Sequence, residues 1–246
     1  MAYEDVPWKY TTCEVKFTPD ELISDEIIMD TINDCISNQL PFSLIRIGDG
    51  ELTVMSQDLA LTQQWLRKNV AWYDGYDYCG VKLPDYDMRD KLIQSVKDAD
   101  VIGVFPNDEF INRCFSAITF KPEKVCYAFA NVGWCYRKKF VDLIKQYPPL
   151  LIGHLAKDFA KLIQRELGVT VAGAYTEISC PKDIPRIIEY MKNTPHAWSL
   201  VSAGVHADVI APIMAKQYGK VCIDYGQGMN TLLDWKFGDR YKFYKE

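Results

Sequence analysis

The sequence predicts an α/β fold: one domain whose mostly parallel sheet is flanked by helices on both faces. Three observations carry that expectation. Short apolar runs recur along the chain and alternate with stretches long enough for helices, the pattern of βα units. Some runs are continuous rather than alternating, as in VIGVF at 101–105, which is what a strand buried on both faces requires. Turns containing glycine follow several of the runs, at 48–50, 204 and 226–228, and the 246 residues contain no internal repeat, linker or low-complexity tract.

Residues 1–18 read as an irregular N-terminal arm. Thr18-Pro19-Asp20-Glu21 forms a helix start, with a threonine cap, proline at the first helical position and acids in the first turn. Leu22, Ile23, Ile27, Ile28, Ile32 and Ile36 extend it as an apolar stripe to about Asn38. Pro41 precedes the first strand, 42–47 (FSLIRI), and Gly48-Asp49-Gly50 turns out of it into Glu51. Helical stretches follow at 51–57 and 61–68. Residues 71–84, rich in Trp, Tyr, Asp and Gly, read as a loop, 86–97 as a helix and 101–105 as a strand. Pro106-Asn107-Asp108 opens the next helix. Strands at 124–130, 150–152, 169–173, 198–202 and 221–224 then alternate with helices at 135–146, 154–167, 183–191 and 204–218. One Rossmann-like domain over 1–246 is the economical reading. The arm 1–18 and an aromatic, basic C-terminal tail, 236–246, pack on its outside.

With 28 Lys+Arg against 33 Asp+Glu the formal charge is 28 − 33 = −5, and 48 % of residues are hydrophobic. That composition excludes a disordered or collagen-like chain. It also argues against nucleic acid as a partner, which calls for a surplus of basic side chains. No apolar run approaches the roughly 18 residues of a membrane span. Residues 1–9 lack the basic and apolar regions of a signal peptide, so a cytoplasmic protein with no membrane span is expected. The eight cysteines are scattered with no CxxC pair and are expected to be reduced core residues rather than bridges or zinc ligands.

Ligands of open α/β sheets bind beyond the carboxyl ends of the strands, so the strand-to-helix turns hold the candidate sites. In Arg46-Ile47-Gly48-Asp49-Gly50-Glu51 two carboxylates flank one glycine. Both can converge on one point, and two hard oxygen ligands suit Mg²⁺ or Mn²⁺ completed by water and substrate phosphate. Arg46 offers a cation for phosphate, depending on which way the strand points it. The alternative is a surface turn in which Asp49 caps the next helix. At Gly204 a turn enters a helix N-terminus, whose N–H groups and dipole attract phosphate. His206 there is either a phosphate or acid/base group or a packed, capping histidine. At Asp224-Tyr225-Gly226-Gln227-Gly228 a carboxylate ends a strand, where it can meet a ribose, a sugar hydroxyl or the metal, or belong to a plain loop. Asn107, Asp108, Glu109, His154 and Glu177 fall at the same edge. The loop 72–78 mixes aromatic faces with carboxylates, a combination suited to stacking on sugar or base rings. The chain has no GxSxG elbow, P-loop or HExxH, and no GxGxxG after the first strand.

Residues 42–51 (FSLIRIGDGE) resemble the R-[FI]-G-D-G-E block of bacterial GT-D-type glycosyltransferases. LIG at 151–153, ISCP at 178–181, LVSAG at 200–204 with Ala207, and IDYG at 223–226 fall in the order of that family. The resemblance implies a Rossmann-like sheet and metal-dependent transfer of a sugar from a nucleotide-diphosphate donor, typically a UDP-sugar, to a glycan or glycoconjugate acceptor. It places Mn²⁺ or Mg²⁺ on Asp49 and Glu51, which match the family's Asp-x-Glu motif. The sequence departs from the family's Gly-Pro-Thr-Ala at Gly204-Val205-His206-Ala207, and from its Asp-Ile-Gly-His at Asp224-Tyr225-Gly226-Gln227. The catalytic candidates are then Asp49, Glu51 and Asp224, with Asp108 and Glu177 as further candidates for an acceptor-side base. The nucleotide-sugar-binding candidates are Arg46, Gly48, Gly50, Asn107, Gly204 and His206. Two other classes use the same residues: a metal-dependent phosphoesterase with water as acceptor, and a non-catalytic nucleotide- or glycan-binding module.

Overall fold

A parallel strand sends alternate side chains to opposite faces, and both faces are buried here. The computed structural model describes residues 6–9, 13–76, 78–233 and 243–245. Its strands are β1 (Phe42–Arg46), β2 (Val101–Val104), β3 (Val125–Tyr127), β4 (Leu150–Gly153), β5 (Gly173–Tyr175), β6 (Trp198–Ser202) and β7 (Val221–Asp224). They form one seven-stranded sheet in the order β3-β2-β1-β7-β6-β4-β5, with every pairing parallel. The helices are α1 (Asp25–Ser37), α2 (Asp49–Ser56), α3 (Gln63–Asn69), α4 (Tyr86–Asp98), α5 (Glu109–Ala117), α6 (Ala130–Gly133), α7 (Lys138–Gln146), α8 (Ala156–Leu167), α9 (Ile184–Asn193), α10 (Val205–Tyr218) and α11 (Gly228–Leu233).

Along β1, Ile45 enters one apolar cluster while Phe42 and Leu44 enter the other. The first cluster lies under α2–α5, α9 and α10, and the second under α1, α7, α8 and α11. Fully burying one such side chain stabilises the fold by roughly 1.5–3 kcal/mol, so the two layers clamp the sheet. α10 is buried nearly all round and packs on β1 and β7. From β1 the chain steps outward through β2 to β3. It then crosses to the far side of the sheet and returns through β6 to β7, beside β1. Strand order thus reverses between β1 and β7, where a crevice opens at the carboxyl edge.

Boundaries shift where pairing across the fold overrides local pattern. The expected helix from Thr18 is split. Thr18 caps only a 3₁₀ turn, Pro19–Glu21, and Leu22 then bridges Val125 at the end of the sheet. Ser24 starts α1 afresh by accepting the Ile27 N–H. The strand expected at 169–173 is instead Gly173–Tyr175, because register with β4 begins at Leu150 opposite Gly173. The strand expected at 124–130 is Val125–Tyr127 and gives way to an unexpected short helix, α6; the helix expected at 135–146 begins as a 3₁₀ turn at Trp134–Tyr136 and continues as α7. α11 was not anticipated.

The arm is better anchored than expected. Phe17 is fully buried, with its ring edge-on to Phe115 and its N–H donated to Asn112 Oδ1 at 3.1 Å. In the tail, Phe243 packs on Phe159 and Tyr244 donates its N–H to the Cys135 carbonyl at 2.8 Å. The remainder of the expected tail (236–242 and 246), like 1–5 and 10–12 of the arm, lies outside the described residues. All eight cysteines are free thiols. Among the described residues no helix is long and apolar enough to cross a membrane.

Candidate functional site

Residues that end or follow β1, β2, β3, β4, β6 and β7 line one cleft of about 770 Å³ at the carboxyl edge of the sheet. Arg46, Asp49, Glu51, Phe105, Phe129 and Gly204 are among them. The volume lies in the range of roughly 300–1,000 Å³ usual for small-molecule sites.

Arg46 ends β1 and is held from several sides. Its Nε lies 3.0 Å from Asp224 Oδ2, and its Nη1 donates to the Ala128 carbonyl at 3.1 Å and to Asn131 Oδ1 at 3.4 Å. Its backbone N–H donates to Asp208 Oδ1, in the first turn of α10, at 3.1 Å. A side chain at Gly226 would overlap the Arg46 guanidinium, and that residue adopts a φ of 42°, so glycine serves both the turn and the close approach. The side chains of Arg46 and Asp224 are 13 % and 3 % exposed, so the cation borders the cleft while its partner lies behind it. Burial opposes the charge on Arg46, but Asp224, Asp208 and Glu51 more than offset it and raise its pKa.

Three carboxyls thus share the field of one guanidinium. Burial, reinforced by the Asp224 charge, pushes Glu51 from the usual 4.5 up to about 7. Burial also raises Asp224, against the pull of Arg46. Asp208 is raised well above the carboxylate range by burial and then by Asp224 and Glu51, and its Oδ2 has no hydrogen-bond partner.

Asp49 and Glu51 occupy the first turn of α2. Glu51 reaches back so that Oε2 accepts the Gly48 N–H at 3.0 Å, while Asp49 Oδ1 accepts the Gly50 N–H at 3.0 Å. Both acids therefore serve the helix start as well as lining the cleft. The exposed Asp49 carboxylate also accepts a hydrogen bond from Tyr78, which stacks on Trp72 at 5.3 Å. Gly50 leaves room for Cys79, whose Cβ would lie 2.9 Å from a Cβ there.

The start of α10 is partly covered. The Cys79 carbonyl takes the Val205 N–H at 3.2 Å, and Gly204, with a φ of 55°, is the residue that lets that carbonyl come so close. His206 is buried, with Nδ1 2.9 Å from the Ala203 carbonyl. Gly48, Gly50 and Gly204 line the cleft, whereas Asn107 and His206 are not among its lining residues. Asn107 is exposed in the left-handed region, with its N–H given to the Phe17 carbonyl. Asp108 caps α5 by accepting the Ile111 N–H at 3.0 Å, and Glu177 pairs with Arg186 at 3.2 Å.

Sequence reasoning missed Asp208, Tyr78 as the partner of Asp49, and the aromatic wall of Phe105 and Phe129, whose rings meet edge-to-face at 4.9 Å. Asp208 carried a usable signal, an acid that, with His206, interrupts the otherwise apolar stretch 205–215 of α10. Phe105 and Phe129 carried only their places just past β2 and β3.

A family model described as a GT-D fold-like domain matches residues 23–232. The chain belongs to that GT-D-like family, and its Rossmann-like parallel sheet is the architecture just described. No curated protein and no solved structure matches the chain.

Proposed function

We propose that the protein is a metal-dependent glycosyltransferase, moving a sugar from a nucleotide-diphosphate donor, with UDP-sugars first in line, to a glycan or glycoconjugate acceptor. The observation that carries this is the meeting of Asp49, Glu51 and Arg46 in one cleft of a GT-D-like chain. Among the described residues no group of three or more His, Cys, Asp or Glu side chains is arranged to hold a metal. Two cleft-facing carboxylates do fit Mg²⁺ or Mn²⁺, which commonly takes one or two protein carboxylates and completes its shell with water and substrate phosphate. Such an ion would supply Lewis-acid stabilisation of the charge that builds on the leaving nucleotide.

The chain's own groups divide the remaining work. Asp49 and Glu51 would hold the cation, which would require Glu51 to give up its proton and Asp49 to exchange or share the Tyr78 hydroxyl. Arg46 contributes fixed positive potential beside the diphosphate. Asp224, buried against Arg46, acts as a positioning residue that fixes the guanidinium. The exposed ring of Phe129 and the half-buried ring of Phe105 offer faces for the nucleobase.

The test is a screen of UDP-, GDP- and TDP-sugars with Mn²⁺ or Mg²⁺, reading released nucleotide. Asp49→Ala and Glu51→Ala should each abolish transfer while the protein stays folded. Near-normal turnover in both variants overturns the proposal, and nucleotide release that no acceptor accelerates points to phosphoester hydrolysis instead.

A further inference from the structure

A smaller pocket of about 140 Å³ adjoins the cleft and shares Tyr78, His154 and Ser202 with it, while Tyr76 and His206 line the pocket alone. Two residues that line it, His206 and Ser202, each carry a buried polar atom, Nε2 and Oγ, with no hydrogen-bond partner. His206 is only 1 % exposed. A buried polar atom left unpaired costs roughly 1–3 kcal/mol, so an occupant of the pocket that hydrogen-bonds these two side chains after a small side-chain adjustment recovers that cost.

The character of that occupant follows from the histidine's tautomer. A carbonyl only accepts, so Nδ1, lying 2.9 Å from the Ala203 carbonyl, carries the proton. Burial lowers the pKa of the ring, against the pull of the Ala203 and Gly80 backbones, and keeps it neutral. Nε2 is then a lone pair that needs a donor. Ser202 Oγ, a few residues away at the end of β6, can donate or accept. A phosphate oxygen would meet the Nε2 lone pair with one of its own, whereas a sugar hydroxyl supplies the missing hydrogen and an acceptor as well. An apolar cavity of about 150 Å³ holds a benzene-sized ring, so this pocket takes the six-membered core of a pyranose, with the remaining substituents directed toward the adjoining cleft. The partly exposed rings of Tyr76 and Tyr78 supply the flat walls on which the apolar face of a sugar packs.

We propose that this pocket is the subsite for the donor's sugar ring, with His206 Nε2 accepting from one hydroxyl and Ser202 Oγ bonding another. The inference rests on the glycosyltransferase reading and deepens it: His206 and Ser202 set which sugar is taken, and the nucleotide diphosphate occupies the larger cleft alongside.

Titration calorimetry with Mn²⁺ present tests it, comparing UDP, GDP and TDP with a panel of their sugar conjugates. The wild-type protein should bind at least one conjugate more tightly than its parent nucleotide. Ser202→Ala and His206→Gln should each cut that added affinity roughly 3- to 10-fold, the worth of one hydrogen bond, and leave the affinity for the parent nucleotide in place. Thermal melts confirm that each variant is folded, and the small Ser202→Ala change keeps the test decisive if His206→Gln fails to fold. A sugar increment that survives in a folded variant, or that is absent from the wild type, overturns the subsite while the glycosyltransferase reading stands. Failure of every nucleotide and conjugate to bind the wild type overturns that reading and the subsite together.

Discussion

Replacing Glu51 with glutamine removes a charge while keeping an oxygen for the Gly48 N–H. The folded protein raises this carboxyl from 4.5 to about 7, so the fold favours the protonated form. A raised acid contributes stability that is fully present below the unfolded value and is lost as pH climbs through the folded one. The gap between 4.5 and about 7, at about 1.4 kcal/mol per pH unit, sets an upper bound of roughly 3 kcal/mol. Contact with the open cleft reduces it, and about 1–3 kcal/mol is the working expectation. Urea unfolding of wild type and Glu51→Gln at pH 5, 6, 7 and 8 reads this directly. The two stabilities should be closest at pH 5, and the variant should gain over wild type up to about pH 7 and level off by pH 8. Asp208 and Asp224 are also raised, and Asp208 partly by the Glu51 charge, so the difference between the curves reports Glu51 together with the relief it gives that neighbour. Parallel curves across this window, or a variant that loses ground as pH rises, would refute the placement of Glu51 in a desolvated cluster of acids.

Arg46→Met leaves Asp224 buried without its cation and should cost about 3–5 kcal/mol; an unchanged urea midpoint would contradict the central role given to that guanidinium. Tyr78→Phe removes the hydroxyl held by Asp49 and should strengthen Mn²⁺ binding a few-fold, with less than about 1.5 kcal/mol change in stability, read by calorimetry and urea unfolding. Weaker Mn²⁺ binding in that variant would instead make Tyr78 a support for the ion. Because Glu51 must ionise to hold a cation, wild-type Mn²⁺ affinity should rise with pH through about 7; a flat profile would argue that Glu51 is not a ligand.

The parallel sheet was legible because strands buried on both faces leave continuous apolar runs, and β6 and β7 fall where those runs do. Elements whose limits depend on distant partners were not. Thr18-Pro19-Asp20-Glu21 has every local mark of a helix start, yet Leu22 is drawn into a bridge with Val125, more than a hundred residues away. β5 is only three residues long and is positioned by register with β4, which local composition does not encode. In the site, the Gly-Asp-Gly-Glu turn stood out because its spacing is local. The direction of Arg46 was undetermined in sequence, since a strand-end side chain can point either way, and Asp224, Ala128 and Asn131 decide it. His206 was legible as a polar residue at a helix start, but its neutral tautomer depends on the Ala203 carbonyl and on burial, which only the fold supplies.

The central claim is that Asp49 and Glu51 together hold a cation that carries a nucleoside diphosphate. Calorimetric titration of Mn²⁺ in the presence and absence of UDP, on wild type, Asp49→Ala and Glu51→Ala, addresses it most directly. Wild type should bind Mn²⁺ weakly alone and at least tenfold more tightly with UDP, a coupling of about 1.4 kcal/mol, and each variant should lose that coupling while remaining folded. Equal Mn²⁺ affinity with and without UDP in wild type, or full coupling in either variant, would contradict it.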